Sequence, residues 1–280
     1  MKADQIRISI GLAILFVLGV TSISKALNPK KEYDTTQFKL NLKYEERKVQ
    51  TSDGASLNVW YFPSPRITNK VLIISHNGDG NMGDNLKRIK SFMSYGFNVV
   101  TYDYRGFGKS SDFAISEDIY LYSEFYDDFE AIYDFTLANF GKKIYLYGWG
   151  IGATISITQG YVKPNTYSIV ADGSLAQFSD MPGKFKKIGS RMTLAGEVVS
   201  NYKDPYTVLG TTPTPNFRGI MLMVGSHDYL FTPGDMELLR DQLKTVNHEI
   251  LVLDNKRQWD NYRNNPSHYL RKVHHFLVNN

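Results

Sequence analysis

The amino-acid sequence predicts an α/β fold in which a mostly parallel central sheet carries helices on both faces. Three observations predict it. Short apolar runs, Val71–Ile74, Asn98–Tyr102, Ile144–Tyr147, Tyr167–Val170 and Ile220–Val224, read as strands buried on both sides. They alternate with helix-length segments at Leu86–Tyr95, Glu124–Asn139, Gly234–Thr245 and Pro266–Leu277, the rhythm of a parallel sheet with crossover helices. The chain of 280 residues, 42% apolar and 21% charged, has the length and balance of one globular unit with a buried core.

From the N-terminus, Lys2 and Arg7 precede an uncharged apolar run from Ile8 to Val20. It is short for a bilayer helix, which needs roughly 17–25 residues, and it suits the apolar region of a signal peptide. Ser24-Lys25-Ala26 has the small-x-small form of a cleavage site. Residues 1–27 are therefore expected to be a membrane anchor or signal segment, which makes the protein membrane-anchored or secreted/periplasmic. Basic residues flank the run on both sides and leave its orientation open. Residues 28–43, polar and carrying Pro29, read as a tether. The domain spans 44–280. It opens with a hairpin, Tyr44–Val49 and Leu57–Phe62, turned at Thr51-Ser52-Asp53-Gly54. Gly141 stops the second helix and Thr232-Pro233 opens the third. Between Gly173 and Pro215 the rhythm breaks into an insertion with short helices of its own, expected to form a cap.

Several classes of function are excluded or disfavoured. The net charge of +4 is dispersed along the chain, so no nucleic-acid partner is expected. The absence of cysteine excludes thiol catalysis and cysteine metal sites. No set of histidines and carboxylates has ligand spacing, since His274 and His275 face different sides of a helix. Gly148, Gly150 and Gly152 fit no nucleotide fingerprint, and no cofactor is expected. Asp127, Asp128 and Glu130 read as the solvated face of their helix.

Four stretches carry the chemistry. His76-Asn77-Gly78-Asp79-Gly80 follows the first apolar strand. Asp103-Tyr104-Arg105-Gly106-Phe107-Gly108 follows the next, with Asp103 and Arg105 expected to pair. Gly148-Trp149-Gly150-Ile151-Gly152 joins a strand to a helix, and Gly225-Ser226-His227-Asp228 precedes Pro233. Together these resemble the α/β-hydrolase fold, over the chain from about Tyr44 to its end. The resemblance implies an oxyanion-hole loop at His76, Asn77 and Gly78, a G-x-S-x-G nucleophile elbow flanked by Trp149 and Ile151, and a triad acid at Asp228.

The sequence departs from that pattern at the reacting positions. Gly150 stands where the nucleophile belongs, and Asn77 replaces the first glycine of the oxyanion loop. The histidine position, counted back from Phe276 and Leu277, falls on Trp259 and Asp260, with His268 as the alternative base. The expectation is a membrane-associated pseudo-hydrolase that binds an unknown small molecule, lipid or protein. Its pocket is expected between the loop 76–81, the elbow, Asp228 and the insertion. An active ester, thioester or amide hydrolase with a rearranged site is the alternative. A third reading has Phe178, Met181, Phe185 and Met192 in the insertion contacting a partner or lipid.

Overall fold

A computed structural model describes residues 25–34, 40–254 and 260–280. The apolar run Ile8–Val20 and Trp259 lie outside the described residues, and of Asp260 only the backbone is described. In chain order the strands are β1 (Asn28–Pro29), β2 (Glu45–Gln50), β3 (Ser56–Phe62), β4 (Lys70–Ser75), β5 (Asp79–Gly80), β6 (Asn98–Tyr102), β7 (Ile119–Leu121), β8 (Lys143–Trp149), β9 (Thr166–Asp172), β10 (Thr193–Leu194), β11 (Gly219–Gly225) and β12 (His248–Leu253). The helices are α1 (Leu86–Ser94), α2 (Glu124–Asn139), α3 (Ile151–Gly160), α4 (Met181–Lys187), α5 (Gly196–Asn201), α6 (Pro205–Leu209), α7 (Pro233–Arg240), α8 (Asp260–Asn264) and α9 (Pro266–Asn279).

Eight strands form one sheet in the order β12-β11-β9-β8-β4-β6-β3-β2, in which β3 alone runs against the others. The apolar runs are continuous because both faces are covered. Along β4, Val71 and Ile73 enter the cluster under α2 and α3, while Leu72 and Ile74 enter the one under α1 and α9, the two-residue alternation of a strand. After β4 the chain steps outward to β6, then returns to lay β8 on the other side of β4. The loops after β4 and β8 therefore diverge, and a crevice opens between them at the carboxyl ends of the strands.

Helix ends follow local chemistry. Thr232 and Asp235 close a capping box on α7, with Pro233 in its first turn. α7 stops at Arg240, short of the expected Thr245, because the chain tightens into a turn (Leu243 N–H to Arg240 O, 2.8 Å) that buries Leu243. In the insertion, Phe178, Met181, Phe185 and Met192 are all buried, so they seal the domain and present no apolar surface to a partner.

Three expectations are corrected. Arg105 pairs with Asp128 through Nε and its backbone N–H, both at 2.8 Å, and with Asp53 through its terminal nitrogens; it does not pair with Asp103. Asp103 instead accepts the Met82 N–H at 2.7 Å and the Tyr33 hydroxyl. Asp128 is not solvated. It lies fully buried on the apolar stripe of α2 with Phe125, Phe129 and Ile132. Nor do the described end of the expected anchor or signal segment, 25–27, and the described start of the expected tether, 28–34, hang free. Over 25–34 the chain runs as a strap across the domain, pairing β1 with β5 (Asn28 N–H to Gly78 O, 2.8 Å; Lys30 N–H to Gly80 O, 3.0 Å). Lys25 pairs with Glu117, and Tyr33 anchors the far end on Asp103. The strap docks because its backbone groups find partners in two loops and Leu27 finds an apolar seat, 3% exposed, against Gly78 and Ile151.

Candidate functional site

Strand β8 delivers the chain to the head of the crevice and α3 takes it away, leaving one residue at the tip. Gly150 holds φ +58° and ψ −123°, a conformation that L side chains rarely adopt. Its N–H donates to Asp172 O at 3.0 Å, and its carbonyl accepts the N–H groups of Ala153 and Thr154. The strained turn of a nucleophile elbow is therefore present without a side chain on it.

The space above the tip is filled. A Cβ on Gly150 would stand 2.8 Å from the Cβ of Asn77 and 3.4 Å from the Tyr120 hydroxyl. Asn77 holds this position by accepting the Asp79 N–H on its Oδ1 at 3.2 Å. On the insertion side, Tyr120 packs against Phe185, ring centroids 5.9 Å apart. Burial and the nearby Asp228 carboxylate push the Tyr120 phenol well above its ordinary range, so it stays protonated.

His76 turns away from the crevice into the core, between Tyr104 and Phe107. Its Nδ1 accepts the Gly78 N–H at 3.2 Å, and full burial pulls its pKa down to about 3. It is a neutral structural residue. Gly78 gives its carbonyl to the strap, and Leu27 lies over it and Ile151.

Asp228 is buried at the start of the turn that leads into α7, with one oxygen accepting the Leu230 and Phe231 N–H groups at 2.9 Å. The described histidines are engaged elsewhere. His268 lines a cavity of about 170 Å³ with Leu253, Asp254 and Asn261, a set that includes neither Gly150 nor Asp228. His274 stacks on Tyr95, and His227 contacts Ser226 (Nδ1 to Oγ, 2.8 Å) on an exposed turn beside Asp254. Among the described residues no group of histidines, cysteines and carboxylates could hold a metal ion.

Four residues at the site escaped the sequence reading: Leu27, Tyr120, Asp172 and Arg88. Asp172 ends β9 beside the elbow, fully buried, accepting Asn261 Nδ2 at 2.6 Å and the Tyr269 hydroxyl at 2.7 Å, with Tyr147 extending the chain at 2.9 Å. Burial pushes its carboxyl up to about 7. It fastens α8 and α9 to the sheet end. Arg88, on α1, lies over Trp149 and Tyr262.

The expected pocket is displaced. The larger cavity, about 350 Å³, is lined by neither Asp228 nor the insertion. It opens on the other side of the elbow, between the strap, α1 and α8, with Asn77 and Trp149 in its wall. Leu27, Asn77, Tyr120 and Phe185 occupy the space where the pocket was expected.

Comparison with known proteins agrees with this architecture. The family model for serine aminopeptidase, S33 (Hydrolase_4) matches residues 67–202, from just before β4 through the elbow and into the insertion. The alpha/beta hydrolase domain-containing protein WAV2 of Arabidopsis thaliana is 23% identical over 159 residues, which are 55% of this chain and 50% of that protein. The chain thus spans about half the length of that curated relative. The esterase Pf2001 of Pyrococcus furiosus superposes with a TM-score of 0.72 at 18% identity, covering 90% of this chain and 97% of that one. The alpha/beta hydrolase GrgF from Penicillium sp. sh18 does so with a TM-score of 0.63 at 19% identity, covering 84% and 98%. With this strand order and these structural neighbours, the chain has the fold of the α/β-hydrolase superfamily.

Proposed function

We propose that the chain is a non-catalytic member of this superfamily that binds a ligand beside its elbow and is held at a membrane by its N-terminal segment. One observation carries the first part. At the tip of the elbow there is no nucleophile, and Asn77 stands within 2.8 Å of where its first atom would be. Attack on a carbonyl needs an activated nucleophile and a base within hydrogen-bond reach, and Gly150 supplies no atom to activate.

The alternative is an active hydrolase, favoured by the esterase-like neighbours. It needs a hydroxyl elsewhere, and Ser226 with its Oγ 2.8 Å from His227 Nδ1 is the one to test. The full chain is expected to stay unlabelled by a fluorophosphonate probe and to hydrolyse p-nitrophenyl butyrate no faster than buffer. Labelling that disappears in Ser226→Ala, or turnover that survives purification to homogeneity, would establish the alternative.

Membrane attachment rests on the apolar composition of Ile8–Val20. Among the described residues no helix is long and apolar enough to cross a membrane. The full chain is expected in the membrane fraction, and a chain beginning at Lys25 in the supernatant. The deletion has to stop at Ser24, since Leu27 belongs to the core. Finding the full, unprocessed chain wholly in the supernatant would refute attachment.

A further inference from the structure

The cavity beside the elbow is basic. Lys30 on the strap, Lys87 and Arg88 on α1 and Arg263 on α8 all line it, against only two carboxylates, Asp79 and Asp84. Those two are committed to the protein: Asp79 accepts from Asn28 Nδ2 at 2.9 Å, and Asp84 accepts the Asn81 N–H in a capping box. Among the described residues, none of the four cations has a carboxylate within ion-pair distance. Elsewhere in the fold Arg105, Lys163 and Lys184 are each paired with acids.

Arg88 forms the floor. Its guanidinium rests 3.8 Å from the Tyr262 ring centroid and 4.7 Å from that of Trp149, and Nη1 donates to Asn85 Oδ1 at 2.6 Å. Its Nε is buried with no hydrogen-bond partner. Aromatic faces attract a cation without neutralising it, and although the buried Asp172 carboxyl feels the Arg88 charge, the two form no ion pair. A planar fork held in this way is suited to an anion with several oxygens.

From this arrangement we infer that the cleft is a binding site for a phosphate monoester. The cations exceed the carboxylates by two, which matches a phosphomonoester carrying roughly −1.5 to −2 at neutral pH; a carboxylate would leave the rim lysines unmatched. A cavity of about 350 Å³ lies at the small end of the range for ligand sites, roughly 300–1,000 Å³, so it takes a phosphorylated head and leaves any acyl chain outside. Such a head has two sources, a free phosphate ester or the headgroup of a lipid such as phosphatidic acid. The inference deepens the proposed binding function and rests on it.

The test is calorimetric titration of the full chain in neutral detergent micelles with glycerol 3-phosphate, with glycerol as the control. Glycerol 3-phosphate is expected to bind and glycerol not to bind. Arg88→Gln is expected to weaken binding at least tenfold, and Lys87→Ala and Arg263→Ala two- to fivefold each. If Arg88→Gln loses its cooperative thermal transition, the exposed Arg263→Ala decides. Titration with micelles containing dioleoyl phosphatidic acid, against phosphatidylcholine, separates the sources. Tighter binding of phosphatidic acid, displaced by glycerol 3-phosphate, assigns the site to lipid; binding of glycerol 3-phosphate alone assigns it to a soluble ester. Absence of binding by both phosphates, or binding unchanged in the cleft variants, overturns the inference. Ester turnover with phosphate binding intact would remove the non-catalytic reading and leave this one standing.

Discussion

Gly152→Ala is expected to abolish folding, although it adds one methyl group to a helix. The Cβ would stand 2.1 Å from the carbonyl oxygen of Ser75 and 2.8 Å from that of His76. Both are backbone atoms at the end of β4, a central strand of the sheet, so no flexible side chain can yield; α3 would have to lift off the sheet. Ordinary overpacking costs about 1–3 kcal/mol. Displacing a central helix loses most of the roughly 5–15 kcal/mol that holds a domain together. Gly150→Ser should be milder, at about 2–5 kcal/mol, since it combines a positive-φ residue with a contact to the Asn77 side chain, which sits on a loop. Gly183→Ala, in open space on α4, should stabilise slightly. Soluble yield and thermal unfolding by circular dichroism order the three. A Gly152→Ala protein that melts with the parent would show that α3 does not approach β4 this closely.

Arg105→Ala is expected to cost about 3–5 kcal/mol, the usual penalty for removing one partner of a buried ion pair. Asp128, fully buried, would be left facing a cavity. Burial already pushes its carboxyl up to about 7 against the pull of Arg105, so without that partner it takes up a proton. Asp128→Ala should cost less, because Arg105 keeps its pair with Asp53. The double variant should lose less than the sum, because part of each single loss is a buried polar group left without its partner and not the value of the pair. Urea denaturation of the four proteins measures the coupling. Strict additivity would mean that the two residues do not act on each other.

The sheet was legible because its strands are buried on both faces, which leaves uninterrupted apolar runs such as Val71–Ile74. The elbow was legible because a strand and a helix that approach this closely require glycines at fixed offsets. Asp128 could have been found: its spacing from Phe125, Phe129 and Ile132 puts it on the inward face of α2, and the acidic neighbour Asp127 masked it. The pairing of Arg105 could not, since Asp103 is two residues away in sequence and Asp128 twenty-three, and only the turn at Tyr104 decides which one the side chain meets. Leu27 was illegible for a related reason. It closes the segment 1–27 that reads as an anchor or signal, and its seat is built from residues fifty and more positions away. The cleft was hidden likewise, because Lys30, Arg88 and Arg263 come from three distant segments.

The docking of the strap also removes a freedom that a linker would give the domain. A free linker of the sixteen residues 28–43 would let the domain roam over about 20 Å, at roughly 5–6 Å times the square root of the residue number. The strap cancels that freedom. Lys25 is already held beside Glu117, and only Ala26 lies between it and Leu27 in its seat, about 7 Å of extended chain away. Were the apolar run before Lys25 held in a bilayer, as proposed, the docked strap would leave the domain no slack of its own on which to move away from the lipid surface.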